Sequence, residues 1–234
     1  MLVTANQGSN DVSVLLGLPD GTFAAAQSFA VGNDPVSVAV ADLNGDGIPD
    51  LVTANQGSND VSVLLGLGDG TFAAAQPIPL NGKGPVSVAV ADFNGDGKPD
   101  LVTANVSSND VSVLLGLGDG TFAAEPSFAV GKSPVSVVVA KGVTDLNGDG
   151  KPDLVTANQG SNDVSVLLGL GDGTFAAEQR FAVGVSASPT SVAVADLNGD
   201  GIPDLAITDK QFSAVTILLG GDDGTFVKPQ LCSQ

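Results

Sequence analysis

The sequence predicts an all-β protein, a β-propeller of four-stranded antiparallel blades. The first observation behind this prediction is a tandem repeat, in which an acidic loop begins at Asp42, Asp92, Asp145 and Asp196, at spacings of 50, 53 and 51 residues. The second is that each repeat holds four short segments, rich in small or β-branched residues and bounded by turn residues. The third is that no segment keeps a helical period. Four-stranded units of this length, repeated in tandem, are typical of propeller blades.

Each repeat is predicted to contain four strands, A to D, in chain order. In the first complete repeat, strand A is residues 35–41 (PVSVAVA) and strand B is residues 50–55 (DLVTAN), and the acidic loop joins them. Strand C, residues 60–66, follows the polar loop QGSN. Strand D, residues 71–76, follows a turn whose Asp-Gly pair supplies the positive φ values of a tight hairpin. The Phe of each DGTF segment is expected to fill the gap between two blades.

The whole chain, residues 1–234, is predicted to be one repeat domain of about five blades. It has five DGTF segments but only four acidic loops, so the first blade lacks strand A. The strand edge left exposed there favours self-association. An extended β-solenoid is the alternative architecture, but solenoid coils are usually shorter and lack a tight hairpin turn in each repeat. The predicted bounds are 1–34 for the partial blade and about 35–84, 85–133, 134–188 and 189–234 for the others.

Composition narrows the classes of partner and activity. Acidic residues outnumber basic ones by 26 to 8, which gives a formal net charge of -18 and disfavours nucleic acid or an anionic membrane surface as a partner. No apolar run approaches the roughly 18 residues of a membrane span, so no membrane insertion is expected. The chain has no histidine, which is the usual general base and a common zinc ligand. No acid–base pair is evident outside the loops, and we therefore expect the chain not to be an enzyme.

The acidic loops have the pattern of a hard-cation site. In the first loop, Asp42, Asn44, Asp46 and Asp50 stand at positions 1, 3, 5 and 9, and the carbonyl of Ile48 stands at position 7. Oxygen ligands at alternate positions of a tight turn suit Ca²⁺ better than Mg²⁺, which tolerates a flexible protein cage poorly. Four loops predict about four calcium ions. The predicted ligands are Asp42, Asn44, Asp46, Ile48, Asp50, Asp92, Asn94, Asp96, Lys98, Asp100, Asp145, Asn147, Asp149, Lys151, Asp153, Asp196, Asn198, Asp200, Ile202 and Asp204, with the position-7 residues contributing their carbonyls.

Two other interpretations of the loop compete with calcium. An Asx-rich turn without a metal uses the same residue types, but four copies with identical ligand spacing favour calcium. An EF-hand is disfavoured because strands flank the loop, and because position 12 lacks the bidentate Glu of that motif. That position holds Thr53, Thr103, Thr156 and Ile207 in the four loops.

The D-x-N-x-D-G-x-x-D loop between two strands, once per blade, resembles the FG-GAP/VCBS repeats of integrin α-subunit propellers and of many bacterial surface proteins. The resemblance covers almost the whole chain, and it implies calcium in each loop. It also implies an extracellular or cell-surface module for binding or adhesion, with any export signal lying outside this sequence. Some related propellers are lectins. A scaffold or spacer in a larger surface assembly is the alternative, and near-identical repeats suit that role.

The alternating strand directions predict two different loop faces. The A–B acidic loops and the C–D turns share one face, and the B–C loops and the connections between blades share the other. Repeat symmetry breaks on the second face, where Lys210, Gln211 and Phe212 replace the usual polar loop. If the protein binds a protein or carbohydrate ligand, we expect these three residues to contribute.

Overall fold

A computed structural model describes residues 1–123, 126–184 and 186–227. These residues form five antiparallel sheets, each made of consecutive strands, which confirms the predicted all-β propeller architecture. The strands of blades 1 and 2 are β1 (Leu2–Asn6), β2 (Asp11–Leu15), β3 (Gln27–Ala30), β4 (Pro35–Ala41), β5 (Asp50–Asn55), β6 (Asp60–Leu64) and β7 (Gln76–Pro79). Those of blades 3 to 5 are β8 (Pro85–Ala91), β9 (Asp100–Asn105), β10 (Asp110–Gly116), β11 (Phe122–Ala123), β12 (Ser127–Ala129), β13 (Pro134–Ala140), β14 (Asp153–Asn158), β15 (Asp163–Leu167), β16 (Gln179–Ala182), β17 (Pro189–Ala195), β18 (Asp204–Asp209), β19 (Ala214–Gly220) and β20 (Phe226–Val227).

Helix is nearly absent, as the lack of a helical period predicts. A single turn of 3₁₀-helix, Gly142–Thr144, is the one helical element among the described residues. It lies within residues 141–144, a four-residue insertion between strand A and the acidic loop in the repeat that is 53 residues long. In the same described ranges, no helix is long and apolar enough to cross a membrane.

In blade 2, strands A and B occupy the predicted residues, but strand D lies later in the chain than predicted. The outer strand there is β7, Gln76–Pro79, which pairs with residues 60–63, and of the predicted segment 71–76 only Phe72, through a bridge to Gly66, and Gln76 pair with strand C. The reason is that the Phe72 side chain packs toward the preceding blade, with the apolar cluster around Leu51 and Leu64. The chain therefore rejoins the sheet a few residues later than its β-propensity suggests. In blades 3 and 5 the DGTF segment does pair with strand C, as the two-residue strands β11 and β20.

The blades pack face to face through one recurring interface. Each blade has a forward face, which contacts the next blade along the chain, and a rear face, which contacts the blade before it. The forward face of blade 2 consists of four small buried side chains, Val52, Ala54, Val61 and Val63. The rear face of blade 3 presents three larger ones, Leu101, Leu114 and Phe122. The equivalent residues form the other three interfaces.

The DGTF phenylalanines fill the gaps between blades, as predicted. Phe72 meets Phe29 of blade 1 edge to face at 5.2 Å between ring centroids, and Phe226 meets Phe181 in the same way at 5.4 Å. Such aromatic pairs add to the stabilisation from burial alone. Phe23 is the exception at 49% exposed, because blade 1 has no blade behind it in this structure.

A glycine at the end of each strand C allows the acidic-loop segment to approach closely. A β-carbon on Gly116 would lie 2.1 Å from the carbonyl oxygen of Pro99, and one on Gly66 would lie 2.4 Å from that of Pro49. Gly17 holds the same place in blade 1, which has no acidic loop, and a β-carbon there would meet no atom within 4 Å. The repeat thus supplies its own control for the effect of a methyl group at this position.

We predict that Gly116→Ala lowers the free energy of unfolding by about 1–3 kcal/mol, because backbone must move to admit the methyl group. Gly17→Ala should change it by less than about 0.5 kcal/mol, since that site is open. Thermal and urea unfolding of the two variants beside the parent protein measure this. Equal losses of stability in the two variants would contradict the prediction.

Candidate metal centre

The acidic loops share one backbone conformation, which depends on two glycines. In the first loop, Gly45 and Gly47 at positions 4 and 6 have φ values of 77° and 82°, in the left-handed region that favours glycine. The corresponding glycines of the other three loops also have positive φ. The chain therefore turns sharply at every N-G-D-G segment after strand A, and the acidic side chains of the loop lie around this turn.

The position-1 aspartate organises the turn. Asp42 Oδ1 accepts hydrogen bonds from the amides of Gly45 and Asp46 at 2.7 and 3.2 Å, and its Oδ2 accepts one from Gly47 at 2.8 Å. These bonds, that from Gly47 foremost, lower the pKa of Asp42. The pKa of Asp196, in the last loop, is lowered by the same amide bonds. A carboxylate fixed in the ionised form by amides is well suited to meet a cation.

Positions 3 and 5 add two short-range turns. Asn44 Oδ1 accepts from the amide of Asp46 at 3.0 Å, and Asp46 Oδ1 accepts from the amide of Ile48 at 2.7 Å. The Asx-rich turn weighed as an alternative is therefore present. It does not exclude a metal, because a carboxylate has about four lone-pair sites and these bonds occupy only some of them.

The position-9 aspartate has a different environment. Asp50 is fully buried, and its two oxygens accept hydrogen bonds from the amides of Gly66 at 2.7 Å and Leu43 at 2.8 Å. One side chain thus ties the ends of strands A and C to the start of strand B. Each of the other loops has the same pair of bonds at its own position-9 residue, Asp100, Asp153 and Asp204.

Burial makes the position-9 charge costly. It raises the pKa of Asp50 and Asp100, and that of Asp153 to about 6. Accepted amide hydrogen bonds oppose the shift, while the negative charges at positions 1 and 5 of the same loop increase it. Each of these loops therefore contains repulsion that a bound cation would relieve.

Position 7 divides the four loops into two kinds. Its side chain packs toward the C–D turn, as Ile48 does beside Gly68 and Lys98 beside Gly118. The predicted contribution of the position-7 carbonyl to a metal stays a prediction. The lysine ammonium groups nevertheless return to the loop. Lys98 lies 3.7 Å from Asp96, and Lys151 lies 3.4 Å from Asp149. Such exposed ion pairs contribute about 0–1 kcal/mol.

The donor set fits calcium in kind. Each loop brings two carboxylates, at positions 1 and 5, and one Asn oxygen, at position 3, to a single turn, and these are hard oxygen ligands of the kind that Ca²⁺ takes. In the described part of the chain, no three His, Cys, Asp or Glu side chains form a preassembled metal site. The cause is visible in the loop: position 3 is Asn, and the position-9 carboxylate is directed at two amides. Of the predicted ligands, positions 1, 3 and 5 lie together around the turn, whereas position 9 lies in the sheet.

Comparison with protein families places this loop in a known context. The model of the FG-GAP-like repeat matches four times, at residues 1–53, 42–103, 92–141 and 145–207. The chain belongs to the FG-GAP-like repeat family. The resemblance drawn from the loops is thereby confirmed. Among curated proteins, no sequence matches this FG-GAP-like repeat chain.

Solved structures share the propeller fold at low sequence identity. A Bacteroides uniformis protein provisionally named a 6-phosphogluconolactonase has a TM-score of 0.69 and 18% identity over 97% of this chain. A periplasmic gluconolactonase, PpgL, from Pseudomonas aeruginosa has 0.62 and 18% over 92%. The V. cholerae biofilm matrix protein Bap1 has 0.54 and 19% over 92%. The FG-GAP-like repeat chain spans 65%, 62% and 34% of their respective lengths.

These structures correct one expectation. The lack of histidine and of an acid–base pair predicted that the chain is not an enzyme. That prediction is wrong, because structures of the same fold carry the names of gluconolactonases. Function belongs to sites rather than to folds, so residue types absent from a propeller do not exclude catalysis by it. At this identity the likeness itself shows the fold alone.

One recurring polar cluster was missed by sequence reasoning. At the other end of blade 2, Asn55 Nδ2 donates to Asp60 Oδ1 at 2.7 Å and to Ser62 Oγ at 2.9 Å, and Thr53 Oγ1 donates to Asn55 Oδ1 at 2.8 Å. Blades 1, 3 and 4 repeat the bonds from the Asn to the Asp and Ser. The exact repetition of T-A-N and N-D-V-S was the available signal. The cluster closes each B–C loop of this FG-GAP-like repeat protein.

The candidate ligand residues lie where this cluster is altered. In blade 5 the Asn is replaced by Asp209, whose Oδ1 accepts hydrogen bonds from the amides of Gln211 and Phe212 at 2.8 and 3.3 Å. Lys210 and Gln211 are exposed, and the Phe212 side chain is 58% exposed. The structure therefore brings the three residues together on the loop face opposite the acidic loops.

We predict that Asp153→Ala, measured in excess chelator, lowers the free energy of unfolding by about 2 kcal/mol or more, because two buried amides lose their acceptor. Asp149→Ala removes an equal charge from an exposed position of the same loop and should change stability by less than about 0.5 kcal/mol. Urea unfolding in EDTA compares them. Similar losses in both variants would contradict a separate structural role for position 9.

Proposed function

We propose that the protein is a calcium-stabilised extracellular propeller that serves as a binding or adhesion module. The observation that carries the proposal is the fourfold recurrence of one oxygen-donor set, in one glycine-dependent conformation, at the same place between strands A and B. Recurrence of this kind is expected of a site with a shared ligand, whereas a turn alone requires fewer acidic residues.

The proposed role of the ion is to hold the fold. In each loop, positions 1 and 5 and the carbonyl at position 7 would bind Ca²⁺ directly, with the Asn oxygen at position 3. The position-9 carboxylate would share its charge between the ion and the strand amides. The bound ion supplies positive charge at the point where three carboxylates repel one another. Because the loop joins strands A and B and touches the end of strand C, the ion would stabilise the pairing of all three strands.

We predict that chelation of calcium lowers the melting temperature sharply. An ion present at a hundredfold excess over its dissociation constant contributes about 2.7 kcal/mol per site, so even one site accounts for a large part of the stability of a typical domain. Differential scanning calorimetry in calcium and in excess EGTA measures the difference. An unchanged melting curve, with removal of the metal verified by elemental analysis, would refute the proposal.

A substitution at position 5 provides the matched test. Asp46→Ala should weaken one site, and titration calorimetry should then record one fewer tight calcium ion per chain. Asp20→Ala removes an exposed carboxylate from blade 1, which has no acidic loop, and should leave the number of bound ions unchanged. The same stoichiometry in both variants would count against the loop as the site.

The proposed ligand surface is the face opposite the acidic loops. There the sequence departs from its repeat, and Phe212 and Lys210 stand exposed on one loop of blade 5. An exposed aromatic side chain beside a cation suits the apolar face and hydroxyls of a sugar, or a loop of a partner protein. A lectin is one form of this function.

A scaffold or spacer is the second candidate. It is favoured by the identity of residues 51–74 and 154–177, because a sharp ligand site usually disturbs the symmetry of repeats. One propeller of similar fold belongs to a protein named for the biofilm matrix, a structural setting of this kind. A spacer needs the loop faces to be soluble and does not need Phe212.

We predict that the protein binds a subset of sugars on a glycan array in the presence of calcium, and that the double change Phe212→Ala and Lys210→Ala reduces this binding at least tenfold. Leu117→Ala, on the calcium-loop face and similarly exposed at 53%, should have no effect. Absence of binding by the parent protein would remove the lectin form. Binding that survives the double change would remove the proposed surface.

A further inference from the structure

The two ends of the blade array expose the two halves of the internal blade interface. Among residues 1–123, 126–184 and 186–227, no blade covers the forward face of blade 5 or the rear face of blade 1. Val215 on the forward face is 59% exposed, whereas its equivalents Val61, Val111 and Val164 are fully buried. On the rear face, Leu2 is 46% exposed, whereas the matching leucines of blades 2 to 5 are fully buried.

The two exposed end faces have side chains similar in size and charge to those of the internal faces. The rear face of blade 1 has the same residue types as that of blade 2, namely Leu2, Leu15 and Phe23. The forward face of blade 5 remains small and uncharged, with Ala206, Thr208, Val215 and Ile217 in the places of Val52, Ala54, Val61 and Val63. A shift from Val to Ala at one position is offset by added volume at two others, so the total volume is nearly kept.

A second feature makes the two sides of each interface different from one another. In each internal interface, a leucine of one blade packs on a glycine in the DGTF turn of the next, as Leu16 does on Gly70 and Leu168 on Gly224. Gly21 is the equivalent glycine of blade 1, and nothing lies within 4 Å of the place where its β-carbon would be. Leu219 is the equivalent leucine of blade 5. The forward end of the array therefore presents Leu219 without the glycine of a following blade. The rear end presents Gly21 without the leucine of a preceding blade.

We propose that the forward face of blade 5 in one molecule docks on the rear face of blade 1 in a second copy, so that the internal blade interface is repeated between molecules. Leu219 of one copy would pack on Gly21 of the other. The contact joins two different surfaces, so each dimer still has one free face of each kind. Such head-to-tail association continues into longer chains or closes into a ring. The occupant is a second copy because its faces are those that the four internal interfaces already match.

Two variants, each altered at one end, test the proposal. Val215→Asp places a charge on the forward face, and Phe23→Asp places one on the rear face, while each leaves the other end intact. In sedimentation velocity with excess calcium, the mass of the parent protein should rise with concentration beyond that of one chain. Either variant alone should stay at the mass of one chain, because a charge buried in the contact is costly.

Mixing the variants gives the sharper result. The intact rear face of Val215→Asp can meet the intact forward face of Phe23→Asp, so an equimolar mixture should form a dimer that grows no further. Leu117→Asp changes a side chain of similar exposure outside both faces and should associate like the parent protein. Circular dichroism and melting curves check that each variant is folded.

Three results would overturn the proposal. The first is a parent protein of one-chain mass at every concentration up to the limit of solubility. The second is loss of association in only one of the two variants, which would indicate a face that pairs with itself. The third is a mixture that fails to form the capped dimer.

Discussion

In each complete blade, the buried position-9 carboxylate accepts hydrogen bonds from two backbone amides and so holds three strands together. In blade 2, Asp50 bonds the amides of Leu43 and Gly66 and so fixes the end of strand A, the start of strand B and the end of strand C relative to one another. The glycine at the end of strand C is required by the same close approach. Burial raises the pKa of Asp50, and the neighbouring carboxylates of the same loop raise it further by repulsion. The free-energy cost of this buried charge therefore depends on the whole loop.

Much of this architecture could be predicted from the sequence, because its determinants are local and repeated. Strands A and B, the glycine turns and the blade-filling Phe72 follow from spacing and residue type. Strand D could not be placed, since packing of Phe72 between blades overrides the β-propensity of the segment after it. The double role of Asp50 was also hidden, because an aspartate that bonds amides and one that binds a metal look alike in a sequence.

The two loop faces differ in what the repeat preserves. On the acidic face, both loops of a blade use carboxylates to fix their own backbone. Asp69 in the C–D turn of blade 2 accepts bonds from the hydroxyl and amide of Thr71, which lower its pKa. On the opposite face, connections vary in length and blade 5 departs from the common cluster. Side chains there also hold the backbone, since the amides of Asp34 and Gly84 donate to Asn10 and Asn59 in the B–C loop of the preceding blade.

The sameness of the blade faces has a consequence for folding. Because the forward faces share residue types with one another, and the rear faces do too, pairing of blades that are distant in the chain is a competing event during folding, a characteristic hazard of repeat proteins. Contact energy alone does not encode the order of the blades. The short linkers between them do, since residues 31–34, 80–84 and 130–133 reach only the adjacent position. Pairing of two adjacent blades closes only a short loop, whereas pairing of distant blades closes a longer one. The linkers therefore favour the native order of the blades, because pairing out of order forms more slowly.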